Sequence, residues 1–574
     1  MSSQKILIRG LVASLILLAL FSGSYLMRKS PEETVIVTPL DTATKETYRI
    51  ILETTNMIKA QAKTDADILA EFKAGNYKLE NPLIIVDPYK IAPLTALVLF
   101  KSATPSRLSI HVQGKSADVD VDYAIDSYET EHIIPIYGLY AGKTNTVILT
   151  LTDEQNNVST KTLAIQTDTL MPELASNNLI ATSTGLLMSP GFTFSYHNGL
   201  AMTNKTAFDR YGDYRWMLTK NFNTPCNFNQ GKSLYVTLGS EVGNMVFLEI
   251  NYLGKILNVY YSPYGNHHDI EVTPERLLVN GANNVPNTIE DFIYAIDRKT
   301  GAITKTLSYL TLLDRTRNTG VLYTNQDWMH MNSITEFEGD VIVSSNYQSS
   351  VIRNSWDGQI KWILADPIGY TTKYKPYLLK PIGSTFLYPY NQHAVEVLPD
   401  TDGNPDTLDI ILFDNGTSRN YVNPELQRQI AAHEIVEPQL FSRMVQYQIN
   451  EKDMTVRQVW SYGQDRPELF AASRGDADRL PNGNTLGVFF SDVTINSVHT
   501  QHATYVEVNA KNQVVWEVVA TSSNEQNAYI ENRAERFEIY RPETVDVKLG
   551  QTVNNLIPAE LLQKALEYGQ VTGS

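Results

Sequence analysis

The chain repeats one short pattern six times: a strand, a polar turn that begins with Asp or Asn, and a second strand that usually contains an aromatic residue. The turns and their aromatic residues are 209–212 with Trp216, 251–254 with Tyr260, 297–301 with Tyr309, 354–358 with Trp362, 450–453 with Trp460, and 509–512 with Trp516. Hairpins that recur at roughly 40–60 residues are typical of a β-propeller, in which each blade buries its faces against its neighbours. We therefore predict an all-β fold built around a six-bladed β-propeller.

The 574 residues are too many for one simple core, and the sequence pattern changes along the chain. A basic flank and an apolar stretch in residues 1–30 predict a signal peptide or an uncleaved signal anchor. The rest divides into a linker and helix at 31–79, an immunoglobulin-like β-sandwich at 80–170, the propeller at 180–540 and a helical tail at 541–574. The helix at 42–72 is predicted to be a dimerisation or docking arm.

Composition narrows the functions that the chain can have. The net charge of −16 argues against nonspecific binding of nucleic acid, which needs Lys and Arg to neutralise phosphates. The single cysteine, Cys226, cannot form an internal disulfide. Both interpretations of residues 1–30 place the bulk of the chain outside the cytoplasm, and the second would anchor it to the inner membrane.

Three histidines occupy matching positions in the repeats. His268, His330 and His393 each precede a short strand, a turn and a more apolar strand, at spacings of 62 and 63 residues. A residue at the same point of three blades lies at one end of the central channel, so we predict a shared site. Asn332 follows His330 by two residues and is expected to face the same side of its strand, whereas alternation should turn His267 away from His268.

Two chemistries suit such a site. Three histidines and a water molecule form a known zinc hydrolase arrangement. Alternatively, one imidazole acts as a nucleophile in group transfer while its neighbours stabilise anionic oxygens. Asn332 favours group transfer because a neutral donor suits an anionic oxygen, and no carboxylate stands at an equivalent register. This interpretation needs no metal and no cofactor. A propeller that binds ligands without catalysis is a third hypothesis.

Several motifs make the prediction more specific. They are Asp-Trp-Met-His-Met-Asn-Ser-Ile at 327–334, Gln-His-Ala at 392–394, Phe-Asp-Asn-Gly at 413–416, Phe-Ser-Arg at 441–443 and Gln-Val-Trp-Ser-Tyr-Gly at 458–463. With the stretches at 81–97 and 138–142, they resemble the bacterial arylsulfate sulfotransferases over most of residues 80–520.

The resemblance implies a periplasmic enzyme that does not use the nucleotide sulfate donor PAPS. Such an enzyme moves a sulfuryl group from a phenolic sulfate ester to another phenol through a sulfated histidine. The implied partners are therefore a small aromatic sulfate donor and a phenolic acceptor. A homodimer is left open.

The resemblance also assigns roles to residues. His393 would be the nucleophile, and His268, His330 and Asn332 would hold the sulfuryl oxygens or the leaving oxygen. The family has an arginine shortly after the second histidine, and its position corresponds to Asn346 in this chain. Arg353 and Arg443 are the nearest residues that could compensate for the missing charge, and Asn346, Arg353 and Arg443 are the predicted substrate-binding residues.

Overall fold

The computed structural model describes residues 42–170, 177–198, 203–239, 245–285, 288–317, 326–400, 402–495, 498–522 and 533–572. The predicted signal segment at 1–30 lies outside these residues. The helices are α1 (Thr42–Ala74), α2 (Pro424–Ala431), α3 (Pro542–Val545) and α4 (Ala559–Thr572). Among the described residues, no helix combines the length and the apolar character that a membrane crossing requires.

An antiparallel sheet of five strands forms the N-terminal β-domain. Its strands are β1 (Leu83–Val86), β2 (Ala96–Val112), β3 (Val121–Ile136), β4 (Thr144–Asp153) and β5 (Val158–Gln166). Strand β3 pairs along most of β2, while β1 and β4 pair with opposite halves of β2. The register shifts between Lys101 and Ser106, where the long strands bend. Every second residue of β4 is buried, so one face of the sheet covers a core.

Six further sheets follow, one for each predicted blade. Blade 1 contains β7 (Phe192–Asn198), β8 (Thr203–Phe208), β9 (Tyr214–Met217) and β31 (Ala534–Phe537), and blade 2 contains β10 (Asn223–Asn227), β11 (Leu234–Gly239), β12 (Met245–Ile250) and β13 (Ile256–Ser262), with β32 (Asn554–Asn555) added. Blade 3 contains β14 (Ile270–Val272), β15 (Arg276–Val285), β16 (Thr288–Asp297) and β17 (Ile303–Ser308), and blade 4 contains β18 (Met331–Phe337), β19 (Asp340–Ser345), β20 (Ser350–Asn354) and β21 (Ile360–Leu364). Blade 5 contains β23 (His393–Val397), β24 (Thr407–Asp414), β25 (Arg443–Asn450) and β26 (Thr455–Tyr462), with β22 (Lys380–Pro381) added, and blade 6 contains β27 (Asp476–Arg479), β28 (Thr485–Ile495), β29 (Val498–Val508) and β30 (Val514–Ser522), with β6 (Asn177–Ser183) added.

Each predicted hairpin turn joins the third and fourth strands of a blade. In blade 1, Gly212 closes the turn at φ +83°, a conformation that L residues disfavour, and Asp209 accepts the backbone N–H groups of Tyr211 and Asp213. The aromatic residues that follow five of the turns are fully buried between blades; only Trp460 is partly exposed. The six-bladed, all-β fold predicted from the sequence is therefore confirmed.

The first strands of blades 2 to 6 line the channel, because β10 contacts β14, β14 contacts β18, β18 contacts β23 and β23 contacts β27. Blade 1 takes its inner strand from the other end of the chain. Strand β31 pairs with β7, with Ala534 opposite Ser195 and Phe537 opposite Phe192. The ring is thus closed by one blade that combines N-terminal and C-terminal segments.

Helix α1 docks on its own chain. Gln61 donates a hydrogen bond to the Gly254 oxygen at 2.8 Å, and the Asp65 carboxylate pairs with Lys255 of blade 2. Asp65 also accepts a 2.6 Å hydrogen bond from the Tyr89 hydroxyl, which belongs to the N-terminal β-domain. The helix therefore joins that domain to the propeller, in agreement with the docking alternative predicted for it.

Candidate active site

The three histidines lie where inner strands begin. Strands β14 and β18 start just after His268 and His330, and β23 starts at His393 itself. The backbone is unusual at all three places: φ is +59° at His268, +47° at His330 and +52° at Ala394, which follows His393. Non-glycine residues rarely adopt this left-handed conformation, and where they do, the surrounding structure enforces it, often at functional sites.

The structure brings the three rings together. The Nε2 atoms of His268 and His330 lie 3.3 Å apart, and the ring centroids of His268 and His393 lie 5.8 Å apart. The predicted convergence at one end of the channel is therefore what the geometry shows, while the catalytic roles of these residues stay predictions.

Asn415 fixes the tautomer of His393. The Nδ1 atom of His393 lies 2.7 Å from Oδ1 of Asn415, whose Nδ2 donates to the main-chain oxygens of Ala471 and Arg474. Because the amide nitrogen is used on those oxygens, the amide oxygen faces the ring, and Nδ1 must be the protonated nitrogen. Nε2 then carries a lone pair. Burial lowers the pKa of His393 to about 3, so the ring is neutral at ordinary pH.

His330 has the opposite electrostatic surroundings. Its Nδ1 atom lies 2.7 Å from Oδ2 of Asp327 and 2.7 Å from Oε2 of Glu290. Burial alone would lower the pKa of His330, but these two carboxylates outweigh it and raise the pKa to about 9. Burial and the neighbouring histidines hold the pKa of His268 well below its usual value. The site therefore combines one cationic ring with two neutral ones.

His267 lies nearer the site than alternation predicted. Its ring centroid is 4.0 Å from that of His268 and 4.7 Å from that of His330, and its Nε2 is 3.0 Å from Oε2 of Glu290. The orientation expected from alternation was wrong because β14 begins only at Ile270 and His268 is left-handed, whereas the interpretation of His267 as a neighbour rather than a member of the site stays a prediction.

Asn332 and Asn346 connect blade 4 to the loop before His393. The Nδ2 atom of Asn332 donates to the main-chain oxygen of Gln392 at 2.7 Å. Asn346 donates to the main-chain oxygen of Asn391 at 3.0 Å and accepts from the Asn391 amide at 3.1 Å. Both side chains are almost fully buried. Their geometry supports positioning of the His393 loop, and the direct contact with substrate predicted for them stays untested.

Arg353 and Arg443 are held in ion pairs away from the three rings. Arg353 pairs with Glu338, Asp340 and Glu451 at 2.7–3.1 Å. Arg443 is fully buried and lies 2.8 Å from Oδ2 of Asp414, the residue before Asn415. Since these carboxylates occupy both guanidinium groups, the structure does not support the substrate contact predicted from their sequence positions.

Two other arginines are closer to the histidines, and the sequence prediction missed them. Arg474 and Arg533 precede the inner strands β27 and β31, at the register where the histidines precede theirs. Arg533 donates to the Asn332 main-chain oxygen at 3.2 Å and lies 2.8 Å from Oδ1 of Asp269. Both charges contribute to the lowered pKa of His393. The shared register was the sequence signal that could have identified them.

Acidic residues line the channel beyond the histidines. A cavity of about 480 Å³ is bordered by carboxylates from the inner strands of several blades, namely Glu271, Glu336, Glu396, Asp476, Asp478 and Glu535. Burial raises the pKa of Glu271 to about 8 and that of Glu535 to about 7. These carboxyls therefore bind protons near neutral pH, and Arg479, Arg533 and Arg536 border the same cavity, so its wall does not carry the full negative charge of six carboxylates.

Two groups of side chains bring potential ligand atoms within 4.8 Å of one another: His267, His268 and His330, and Glu290, Asp327 and His330. His393 belongs to neither group, so among the described residues the three predicted histidines do not bring their ligand atoms within that distance of one another. His330 belongs to both groups, and its Nδ1 atom faces Glu290 and Asp327 at ion-pair distance. This geometry favours an ion-paired imidazolium over a metal ligand.

A six-bladed ring whose channel end presents a neutral, buried imidazole beside a charged one is suited to transferring an anionic group through a histidine nucleophile. Comparison with known families identifies the class of protein. Residues 177–530 match the model of the arylsulfotransferase (ASST) family, and residues 83–168 match the arylsulfotransferase Ig-like domain. The chain belongs to the arylsulfotransferase family, which confirms the family and the enzyme class predicted from the motifs.

The similarity to individual proteins of known activity is low in sequence identity but covers most of the chain. The chain is 25% identical over 497 residues to the arylsulfate sulfotransferase AssT of Lelliottia amnigena, covering 67% of this chain and 80% of that protein. AssT of Escherichia coli O6:H1 is 25% identical over 501 residues with the same coverage. Among solved structures, the dihydro-heme d1 dehydrogenase NirN shares 9% identity over 60% of this chain and 78% of its own, with a TM-score of 0.28, which carries no argument.

Proposed function

We propose that the protein transfers a sulfuryl group from a phenolic sulfate ester to an acceptor phenol by a ping-pong mechanism, with His393 as the residue that is sulfated. The observation that carries this proposal is the hydrogen bond between His393 Nδ1 and Asn415 Oδ1. This bond leaves Nε2 unprotonated, with a lone pair on a neutral ring, at the channel end where the three histidines meet. The names of the two AssT relatives support the substrate class.

The charge of the ring suits the substrate. A sulfate monoester spreads one negative charge over three oxygens, which repel an anionic nucleophile approaching the sulfur. A neutral imidazole avoids that repulsion, and burial keeps His393 neutral through a pKa of about 3. The S–O bond to the phenol then breaks as the N–S bond forms, and the phenol leaves before the acceptor phenol takes the sulfuryl group.

The neighbouring groups would stabilise the developing charge. His268 and His330 flank His393, and Arg474 and Arg533 add positive potential from blades 6 and 1. Donors that are already in place act strongly in a buried site because no reorganisation is needed. This arrangement requires no metal and no cofactor. Residues 1–30 support an extracytoplasmic location, either as a signal peptide or as an anchor to the inner membrane.

The test is an assay of nitrophenyl sulfate with phenol as the acceptor. Wild-type protein incubated with ³⁵S-labelled aryl sulfate and no acceptor should retain label, and added phenol should release it as phenyl sulfate. His393→Ala should retain none. His433→Ala, which changes an exposed histidine, is the matched control and should behave as wild type. Label retained by His393→Ala, or transfer without a labelled intermediate, would contradict the proposal.

The two alternatives predict different results in the same experiment. A metal-dependent hydrolase would contain stoichiometric zinc by elemental analysis, would lose activity with a chelator and would release inorganic sulfate rather than phenyl sulfate. A binding propeller without catalysis would turn over none of the aryl sulfates tested. The carboxylates that face His330 at ion-pair distance make metal-dependent hydrolysis less favoured than sulfuryl transfer.

A further inference from the structure

Two carboxylates converge on a single ring nitrogen of His330. Glu290 is buried, with 6% of its surface exposed, and its Oε2 lies 2.7 Å from His330 Nδ1. Asp327 accepts a hydrogen bond from the same nitrogen at 2.7 Å. Glu290 is buried and Asp327 is only partly exposed, so two negative charges that face the same nitrogen are costly unless that ring is a cation. The imidazolium form of His330 supplies that cation.

Contacts that do not involve His330 hold the two carboxylates, Glu290 and Asp327, in place. The segment that carries Asp327 is fixed to β16, because Ile289 donates its N–H to the Gln326 oxygen at 3.1 Å and Trp328 donates its indole N–H to Asp291 at 2.7 Å. Glu290 lies between Ile289 and Asp291 and has a left-handed φ of +60°. The strained backbone turns its side chain toward His330, which indicates a position enforced by the fold.

The opposite side of the ring faces the reaction site. His330 Nε2 lies 3.3 Å from His268 Nε2, and Tyr347 stacks on the ring with centroids 4.4 Å apart and planes 13° from parallel. Since His268 is neutral, its Nε2 accepts the Nε2 proton of His330 in the resting site. We propose that Glu290 and Asp327 are positioning residues that hold His330 in its protonated form in the resting site, with its Nε2–H available to the ester oxygen of the donor.

The proposal rests on the sulfuryl transfer proposed above and adds its proton balance. When His393 Nε2 bonds to sulfur and the S–O bond breaks, the electron pair of that bond goes to the phenol oxygen, which takes the Nε2 proton of His330. In the second half-reaction the acceptor phenol returns a proton to His330 as its oxygen attacks sulfur and the N–S bond breaks. A raised pKa of about 9 suits this exchange, because phenols titrate near 10.

Several groups set the charge of His330. Those facing it from the elements packed around it are Glu290, Asp327, His267, His268, His393 and Tyr347. The two carboxylates are the main groups that raise its pKa, so the ring of a variant that lacks either one should lose its proton at lower pH.

The experiment compares wild type, Glu290→Gln and Asp327→Asn with the control Asp291→Asn. The control removes a neighbouring buried carboxylate charge but keeps an oxygen for the Trp328 indole. The transfer rate of wild type should decline only above about pH 9. The rate of Glu290→Gln should begin to decline at least about one pH unit lower, and near pH 5.5 it should return to most of the wild-type rate. At pH 8, the transfer rate of Glu290→Gln should fall further below that of wild type with phenyl sulfate than with nitrophenyl sulfate. Nitrophenolate is the weaker base, so its departure needs a proton less.

A second measurement does not depend on turnover. In protein labelled with ¹³C-histidine, the His330 signal, identified by its absence in His330→Gln, should titrate about one unit lower or more in Glu290→Gln than in wild type. If wild type turned over no aryl sulfate but this shift occurred, the proposed function would fail while the ion pair stood. An unchanged titration, or a pH profile of Glu290→Gln that only scales down, would overturn the positioning role. Asp327→Asn decides the matter if Glu290→Gln does not fold.

Discussion

Asn415 Oδ1 accepts the Nδ1 proton of His393 at 2.7 Å while its amide nitrogen is held by two main-chain oxygens. Removing the amide allows the other tautomer, in which Nε2 carries the proton and cannot attack. We expect Asn415→Ala to slow sulfation of His393 by on the order of 10²-fold, with KM for the donor little changed. Single-turnover labelling measures the rate. A variant that is sulfated at the wild-type rate would contradict the tautomer assignment.

Arg533 should determine how well the anionic donor binds. Its guanidinium reaches the Asn332 main chain, and its charge acts on both His268 and His393. We expect Arg533→Gln to raise KM for nitrophenyl sulfate about tenfold, equivalent to about 1.4 kcal/mol, and Arg533→Lys to have a smaller effect. Steady-state kinetics at two ionic strengths measure this. Equal KM values for Arg533→Gln and wild type would exclude the role.

Placing the family arginine at position 346 should lower both the stability and the transfer rate of this protein. Asn346 is 4% exposed and exchanges two hydrogen bonds with Asn391, two residues before His393. A guanidinium has no room there, so Asn346→Arg should cost about 2–4 kcal/mol of unfolding free energy and lower the transfer rate. Urea unfolding and the sulfotransfer assay measure the two effects. A faster variant with unchanged stability would show that a cation is tolerated at this position.

Arg353 and Arg443 are both buried, and replacing each should separate a role in stability alone from a role next to the site. Arg353 pairs with three carboxylates of blades 4 and 5, so Arg353→Gln should lower the unfolding free energy but leave kcat/KM within about twofold of wild type. Arg443 holds the fully buried Asp414, and Arg443→Gln should lower the unfolding free energy by about 3 kcal/mol and slow transfer through the adjacent Asn415. A large rise in KM for Arg353→Gln would restore its predicted contact with substrate.

The acidic channel should make stability fall as pH rises. Burial raises the folded-state pKa of Glu271 to about 8, so the folded protein binds a proton that the unfolded chain has already released above pH 4.5. This stabilising contribution is complete below the unfolded pKa and is lost as pH rises through 8. We expect Glu271→Gln to be more stable than wild type at pH 8.5 by on the order of 1 kcal/mol, and equally stable near pH 4.5. Denaturant unfolding measures this, with the exposed Glu560→Gln as a control that should follow wild type.

Local signals explain why the fold was predictable. The turn at 209–212 needs a short acceptor side chain and a glycine, and Trp216 must be buried between blades, so each repeat has a recognisable pattern. The same regularity places His268, His330 and His393 at equivalent points. The strand alternation used for His267 failed because only the folded environment determines the left-handed conformation at His268.

The remaining parts of the site depend on contacts that are distant in sequence. Glu290 reaches His330 from a different blade, along a hairpin whose register shifts twice, and nothing near either residue in the chain signals this contact. Arg533 precedes a strand that completes the first blade from the far end of the sequence. Arg353 was predicted from its nearness to a motif, whereas its side chain points to carboxylates elsewhere on its own and the next blade.

The pairing of β31 with β7 determines when blade 1 can fold. Strand β7 is synthesised more than 300 residues before β31, yet blade 1 and the guanidinium of Arg533 come into place only when β31 joins it. A chain that stops before β31 lacks the inner strand of blade 1 and Arg533 beside the three histidines. The sulfuryl transfer proposed for this site would therefore depend on closure of the ring.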